Sequence, residues 1–392
     1  LFTVDYFVDK ARELEELGAD MITIKDMAGL IDPWMSSKLI KALKQRVKVP
    51  VDLHTHCTPG YGVASTLMAM VHGVDVVDTV MLNFSGGPAA PGFELIQLFA
   101  DKLGLETCVN LEAAARINVI LRRIRTELSK YDQYKLFPRV FDISKDELPP
   151  EIDEVFDAAV KAAQADDAEA TLRHCQHIER WFNYPAPDDN VRDAQIPGGM
   201  YTNMLAQLQQ TNMGHLLERV LQVVPTVRLA SGCPPLVTPT SQIVGVQAVS
   251  CVVDEAKGLP FYTTKSAQYV NLVKGIYGKT PWPVDPSFRE EIAGVREETP
   301  YDTGSYAKQD NPVLPELGGV KLAQNEKEEL LLELFPAVAG AYLKGVRERE
   351  HHSIQQALAE AERVAAMEAM APLMSGIASG ICPAPVEAAA AD

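Results

Sequence analysis

The densest chemistry in the sequence lies in five residues, Asp52-Leu53-His54-Thr55-His56. The stretch reads as the end of a β-strand, where alternate side chains share a face. His54 and His56 can therefore offer two imidazoles to one metal ion from a rigid support. Two ordinary histidines are the alternative, and the residues alone leave the readings level. Lys25 stands at the C-terminal end of the preceding predicted strand, in Ile24-Lys25-Asp26. In a parallel barrel that end of a strand faces the mouth where active sites are built. A lysine that loses its charge on burial becomes a nucleophilic amine able to take up carbon dioxide, and the carbamate so formed is an oxygen ligand for a metal. A salt bridge to Asp26 is the competing reading, and by spacing alone the favoured one. One βα unit separates Lys25 from the histidines, so the three side chains can converge.

Two further segments carry polar groups in suggestive places. Thr238-Pro239-Thr240-Ser241 sits between prolines and Gly245 at the entry to the apolar run Val246 to Val253. Hydroxyls at a helix N-terminus can hold an anion or pass a proton. They also make ordinary helix caps, which the residues alone favour. Pro197-Gly198-Gly199, followed by Asn203 and Gln207, allows close backbone approach to a ligand or another element, but the same residues mark plain turns.

The elements that must position these residues follow from periodicity. Apolar residues recur at helical spacing from Val4 to Leu17, with Thr3 as N-cap and Gly18 as stop. Met21 to Ile24 predicts a strand, and Asp32-Pro33 opens a helix running to Val47. The pattern repeats with a strand over Val51 to His56, a helix over Val63 to Val71, a strand over Val74 to Leu82 and a helix over Phe93 to Leu103. Alternation in units of roughly thirty residues is the signature of a parallel α/β sheet or barrel. Three strands are too few for a closed barrel of about 200 residues or more, so its earlier strands would precede Leu1. Leu111 to Leu128 is helical, and an acidic stretch from Asp142 to Asp193, punctuated by prolines, reads as a surface insertion. A last helical block spans Asn325 to about Met370, and the Pro/Ala-rich end from Pro383 reads as a tether.

Composition narrows the function classes. The 392 residues are 47% hydrophobic and 23% charged, enough for a large core and two domains. A formal net charge of −17 argues against coating nucleic acid, which needs clustered cations. No apolar run approaches the ~20 residues of a membrane helix. Six scattered cysteines, Cys57, Cys108, Cys175, Cys233, Cys251 and Cys382, show no CxxC pair and no disulfide framework, which makes a reducing compartment the default. Asp5, Asp9 and Lys10 stand where a leader would be apolar.

Taken together and in order, GADMITIKDMAGLIDP, VDLHTH, GVDVVDTV, IPGGMYTNMLAQL, PPLVTPTSQIVGVQAV and GIYGKTPWPVDP resemble the carboxyltransferase domains of oxaloacetate decarboxylase alpha subunits, pyruvate carboxylases and the keto-acid subunit of transcarboxylase. The resemblance runs from Leu1 to about Gly345, apart from the insertion. It implies an α/β fold: residues 1–130 as the last three strands of a TIM barrel with their helices, 131–194 as an acidic insertion, 195–372 as a mostly helical domain, and 373–392 as a tether. It further implies that Lys25 is a carbamylated catalytic residue and, with His54 and His56, a ligand of a divalent ion, zinc, manganese or cobalt. Thr238 matches the threonine that shuttles a proton between biotin and the enol of pyruvate, and Ser241 and Lys265 match residues that hold the biotin ureido group. The implied partners are a biotin carboxyl carrier domain, separate or following, pyruvate or oxaloacetate, and a second copy of the chain. Peripheral association with a membrane decarboxylase subunit is also implied, in a cytoplasmic setting.

The sequence also departs from the family. Its Arg-Asp-x-x-Gln motif, whose Asp completes the metal site and whose Gln binds substrate, does not occur before Val4, and the arginine that grips the substrate carboxylate is missing too. A catalytically incomplete chain, a fragment, is the expectation. The segment Asn83 to Gly92 and the length of the insertion are also unusual. Competing functions are a metal-dependent aldol or Claisen enzyme of the same barrel superfamily, which also uses a His-x-His pair, and a non-catalytic scaffold of a carboxylase complex.

Overall fold

A computed structural model describes residues 2–132 and 135–378. It divides into two compact units, one up to Tyr301 and one from Asp302. That boundary lies inside the span expected as a single helical domain.

The first unit begins with α1 (Val4–Glu16), β1 (Ile22–Asp26), α2 (Pro33–Arg46), β2 (Val51–Thr55), α3 (Gly62–Val71) and β3 (Val76–Val77). Local chemistry sets the helix starts. Thr3 accepts the Tyr6 amide, and Asp32 accepts the Met35 amide at 2.7 Å just before Pro33, which needs no partner at the first helical position. The three strands form a parallel sheet in the order β1-β2-β3. Alternation then sorts their side chains. Ile22, Ile24, Val51 and Leu53 are buried against Leu39, Ile40 and Leu43 of α2 and Val8 and Ala11 of α1. Each such fully buried aliphatic contributes about 1.5–3 kcal/mol. The opposite face carries Thr23, Lys25, Asp52 and His54, so this parallel sheet has one apolar and one polar side. The third strand is shorter than its apolar run from Val74 suggested. Pairing stops after Val77, and the chain turns into a short 3-10 helix at Leu82–Phe84.

Next come α4 (Phe93–Leu103), α5 (Leu111–Leu128), α6 (Pro150–Gln164) and α7 (Ala168–Trp181). The acidic stretch read as a surface insertion supplies α6 and α7, and its apolar residues are not peripheral. Phe156, Ala159, Ala163, Cys175, Ile178 and Phe182 join Leu67, Met68, Leu95 and Phe99 in one core. The Phe99 and Phe156 rings stand 4.8 Å apart. This layer explains why α3, short and apolar all round, is buried from Gly62 to Ala69. Between α6 and α7, Asp166 bonds Ser37 and Lys41 of α2 and His72 after α3.

The first unit closes with α8 (Asp189–Ala194), α9 (Gly198–Gln210), α10 (Leu217–Ala230), α11 (Thr240–Ala256), α12 (Ala267–Lys274) and α13 (Pro286–Ala293), packed about Met200, Met204, Val224, Val244, Ala248 and Tyr269.

In the second unit, β4 (Val313–Leu314) and β5 (Val320–Lys321) pair antiparallel beside α14 (Glu326–Leu334) and α15 (Pro336–Ala378), over a small core of Leu314, Leu322, Leu332 and Leu343. Arg347 of α15 is buried and bonds Glu328 of α14 at 2.6 Å. Among the described residues no helix is long and apolar enough to cross a membrane. Cys57, Cys108, Cys175, Cys233 and Cys251 are free thiols, while Cys382 and most of the expected tether lie outside the described residues.

Candidate metal centre

Strand register brings the first three candidate residues together. In the parallel pairing of β1 with β2, Lys25 stands beside His54. His56 follows one residue beyond β2, on the same side. The two imidazole rings lie 5.1 Å apart between centroids, and their Nε2 atoms approach to 3.1 Å. Each ring is held by its other nitrogen: His54 Nδ1 lies 2.8 Å from Asp78 Oδ2, and His56 Nδ1 lies 2.7 Å from the Pro88 carbonyl oxygen.

These partners determine the chemistry. A carbonyl or carboxylate oxygen accepts, so both Nδ1 atoms donate and each ring turns its Nε2 toward the other. Two lone pairs at that distance repel unless a proton or a cation lies between them. Burial holds His56 below the usual imidazole range, His54 and Lys25 push the same way, and the Pro88 bond and Asp26 oppose them. The neutral, ligating form is therefore favoured. Two ligands bound to a tetrahedral ion at about 2.0–2.1 Å stand about 3.3 Å apart, close to what these nitrogens show. A ligating histidine whose other nitrogen is fixed by a carboxylate or a carbonyl is the usual supporting arrangement in metal sites. The two histidines thus fit a divalent cation.

Among the described residues no group of three His, Cys, Asp or Glu side chains could hold a metal. Lys25 is the polar residue next in register to His54. Lys25 is exposed, and its side chain forms no hydrogen bond or ion pair with the described residues. The competing Lys25–Asp26 salt bridge is not formed, because adjacent strand residues face opposite sides. Asp26 is buried and accepts the Leu30 and Ile31 amides and the Thr55 hydroxyl. It thereby fixes the turn after β1 against the histidines. Gly29 in that turn has φ +67°, and a Cβ there would lie 2.3 Å from the His56 carbonyl oxygen, so the close approach requires glycine. On the polar face, Asp52 accepts the Thr23 hydroxyl through Oδ2, while its buried Oδ1 has no partner among the described residues. Burial raises the Cys57 thiol well above its ordinary range, which makes it unreactive.

Thr238, Ser241 and Lys265 lie in the helical region, and no hydrogen bond or ion pair joins them to the histidines. Thr238 is exposed immediately before α11, and its hydroxyl makes no hydrogen bond with the described residues. The ordinary-cap reading does not hold for this segment. No side chain caps α11, and the Thr240 hydroxyl turns back to the Val237 and Pro235 carbonyls. Ser241 is buried. Lys265 donates to the Glu291 carbonyl at 3.2 Å, and its neighbours Thr264 and Ser266 are tied to α11 by the buried side chains of Asp254 and Gln247.

The two regions meet through the Pro-Gly-Gly turn. A Cβ at Gly198, where α9 starts, would lie 2.9 Å from Pro88, the residue whose carbonyl holds His56. Gly245 of α11 in turn packs on Met200 and Met204 of α9. Asp78 and Pro88 were absent from the residues singled out by sequence. Asp78 was accessible by register, since Asp52 pairs with Val76 and the next position on that face is Asp78 beside His54. No sequence signal marks the Pro88 carbonyl.

Residues 3–117 match an HMGL-like family model, and residues 191–372 match a conserved carboxylase domain. The chain is 33% identical over 352 residues to a pyruvate carboxylase polypeptide of Methanothermobacter thermautotrophicus, covering 89% of this chain and 52% of that protein. It is 28% identical over 355 residues to the methylmalonyl-CoA carboxyltransferase 5S subunit of Propionibacterium freudenreichii, covering 89% and 59%. The chain thus spans about half the length of the curated relatives it matches. The carboxyl transferase domain of Rhizobium etli pyruvate carboxylase, solved with pyruvate and biocytin, superimposes with a TM-score of 0.58 at 22% identity, over 89% of this chain and 51% of that one, and shares its fold. By these matches the chain belongs to the biotin-dependent carboxyltransferase family.

Proposed function

We propose that this chain contributes to carboxyl transfer between biotin and a 2-oxo acid, pyruvate or oxaloacetate, with Lys25, His54 and His56 as metal ligands and Thr238 as proton carrier. The observation that carries the reading is the pair of Nε2 atoms facing each other at 3.1 Å while both Nδ1 atoms donate elsewhere. A divalent ion, zinc, manganese or cobalt, held there with Lys25 as its carbamate would supply a Lewis acid that stabilises negative charge on the keto oxygen.

The chain's own residues would do the rest. Asp78 and Pro88 keep the imidazoles in the ligating tautomer. The Thr238 hydroxyl, exposed and without a hydrogen-bond partner among the described residues, is suited to carry a proton between the biotin nitrogen and the substrate enol. Ser241 and Lys265 would hold the ureido group. The polar sheet face would be the interior of a barrel whose last three strands are β1 to β3. The helical region 195–372 would then comprise α9 to α13 together with the unit from Asp302, with 131–194 inserted and 373–392 a tether to a biotin carrier, separate or following. A homodimer in the cytoplasm, peripherally attached in a decarboxylase complex, completes the proposal.

The test uses the full-length gene product with oxaloacetate and free biotin. Metal-dependent carboxyl exchange is expected, and Thr238→Ala should lower it by roughly 100-fold or more while cobalt remains bound. Exchange that survives His54→Ala and His56→Ala, or a Lys25 free of carbamate by mass spectrometry in bicarbonate, would overturn the assignment. The second result would instead favour an aldol or Claisen enzyme.

A further inference from the structure

Neither matched family segment includes residues 118–190, yet the end of that stretch packs on the loops beside the histidines. After α7 the chain turns at Asn183 and runs as a strap along two loops, the one after His56 and the one carrying Pro88. Tyr184 is buried, its amide tied to Glu179 at 2.9 Å and its hydroxyl 2.5 Å from Ser85 Oγ. Its ring fills the space that side chains at Gly86 and Gly92 would need. A Cβ on Gly86 would lie 2.6 Å from the ring, and one on Gly92 2.4 Å from the hydroxyl. Pro185 lies against Gly87, Pro187 against Gly60, and the Asp188 amide donates to the Thr58 carbonyl at 3.0 Å.

This matters because the Pro88 carbonyl fixes the His56 tautomer from a loop that needs outside support. Gly86 and Gly87 both have positive φ, at +79° and +53°, in a segment that is conformationally permissive unless something holds it. The loop's other bonds are few: Gly86 N to Ala90 O, Ala89 N to Gly86 O, Ala89 O accepting from Cys57 N, and Gly87 O accepting from the Thr58 hydroxyl at 3.3 Å. Ser85 also donates to Leu82 O, so the Tyr184 contact clamps the loop at its first residue.

We propose that the 184–188 strap, through Tyr184 and Ser85, is a positioning device that aims the Pro88 carbonyl at His56 and so prepares Nε2 for the cation. The proposal rests on the metal-centre reading. Tyr184 is a positioning residue with no contact to substrate.

Two measurements on the full-length gene product test it: cobalt(II) affinity from visible absorption, and the tautomers of His54 and His56 in metal-free protein from ring-nitrogen NMR. Tyr184→Phe keeps the ring and removes the bond to Ser85, and Ser85→Ala removes the same bond from the other side. Each should weaken cobalt binding about 10-fold, within the range seen for supporting residues around metal ligands, and should turn the His56 signal into a tautomer mixture while His54 keeps its own. Phe156→Leu, in the same helical pair but away from the loop, should lower the thermal midpoint and leave both readouts unchanged. Unaltered His56 tautomer and unaltered affinity in Tyr184→Phe and Ser85→Ala would overturn the proposal, as would a Phe156→Leu protein that shifts both readouts equally. If the unmodified protein takes up no cobalt, the metal-centre reading fails, and the metal-free tautomers still decide the strap.

Discussion

The sheet region and the α9–α11 region position polar groups by different means. Around β1 and β2, backbone register does the placing: Lys25 lies beside His54 because parallel pairing puts it there, and Asp78 reaches His54 by the same rule one strand further on. Around α11, buried side chains do it. Asp254 and Gln247 hold the turn that carries Lys265, and glycine-on-methionine packing sets α11 against α9. Register is cooperative and tolerant of side-chain change on the solvent side, whereas a turn held by two or three side-chain bonds depends on each of them. The first region should therefore lose chemistry without losing structure, and the second should lose both together.

The sharpest break of that contrast is His56→Ala or His54→Ala. Either should reduce cobalt affinity by more than ~100-fold, since one of the two imidazoles proposed as ligands is gone, while circular dichroism and the thermal midpoint stay near those of the parent. Unfolding would show that the polar face is needed for the sheet. Next in size is Phe156→Ala. Phe156 is fully buried against Phe99, and its truncation should cost ~3–5 kcal/mol in a denaturant titration. A cost below about 1 kcal/mol would return α6 and α7 to the surface role their acidity suggested.

A third test concerns Glu179, buried beside Cys57, Cys175 and Tyr184. Burial pushes its carboxyl up to about 8, with Arg180 opposing weakly. The folded state then holds a proton that the unfolded chain releases at the ordinary carboxylate pH, so this group's contribution declines as pH rises from about 4.5 to 8 and is lost above that. Glu179→Gln should flatten that decline and raise stability at pH 9 by on the order of 2 kcal/mol, less than the full titration energy because the amide is also buried. Thermal midpoints across pH 4 to 9 read the difference, and parallel curves for parent and variant would refute it. The smallest effect is expected at Asp166, which Lys41, Ser37 and His72 hold below the usual carboxylate range. Its contribution is present above that range and fades as pH falls. Because the side chain is about half exposed, Asp166→Asn should cost less than ~1 kcal/mol at pH 7, measured as a small loss in denaturant midpoint.

The histidine pair was legible because period-two alternation follows directly from strand geometry, and β1, β2 and the helices between them were legible for the same kind of reason. The third strand was overestimated, since apolar composition from Val74 to Leu82 does not show where a neighbour stops pairing. The acidic stretch misled in the other direction. Apart from the buried Glu179, its charges lie on the outer faces of α6 and α7, while Phe156, Ala159, Cys175 and Ile178 recur at helical spacing on the inner ones.

By itself the sequence determined the elements, the side of each strand on which a polar group falls, and the set of motifs that identifies the family, because these depend on residues near one another in the chain. Only the tertiary structure decided that Asp78 and the Pro88 carbonyl would fix the imidazole tautomers, that Lys25 would stand apart from Asp26, and that residues near 184 would brace a loop about 100 positions earlier. Those outcomes rest on backbone atoms and on contacts between distant segments, and a carbonyl oxygen is the same in every residue until the fold points it somewhere.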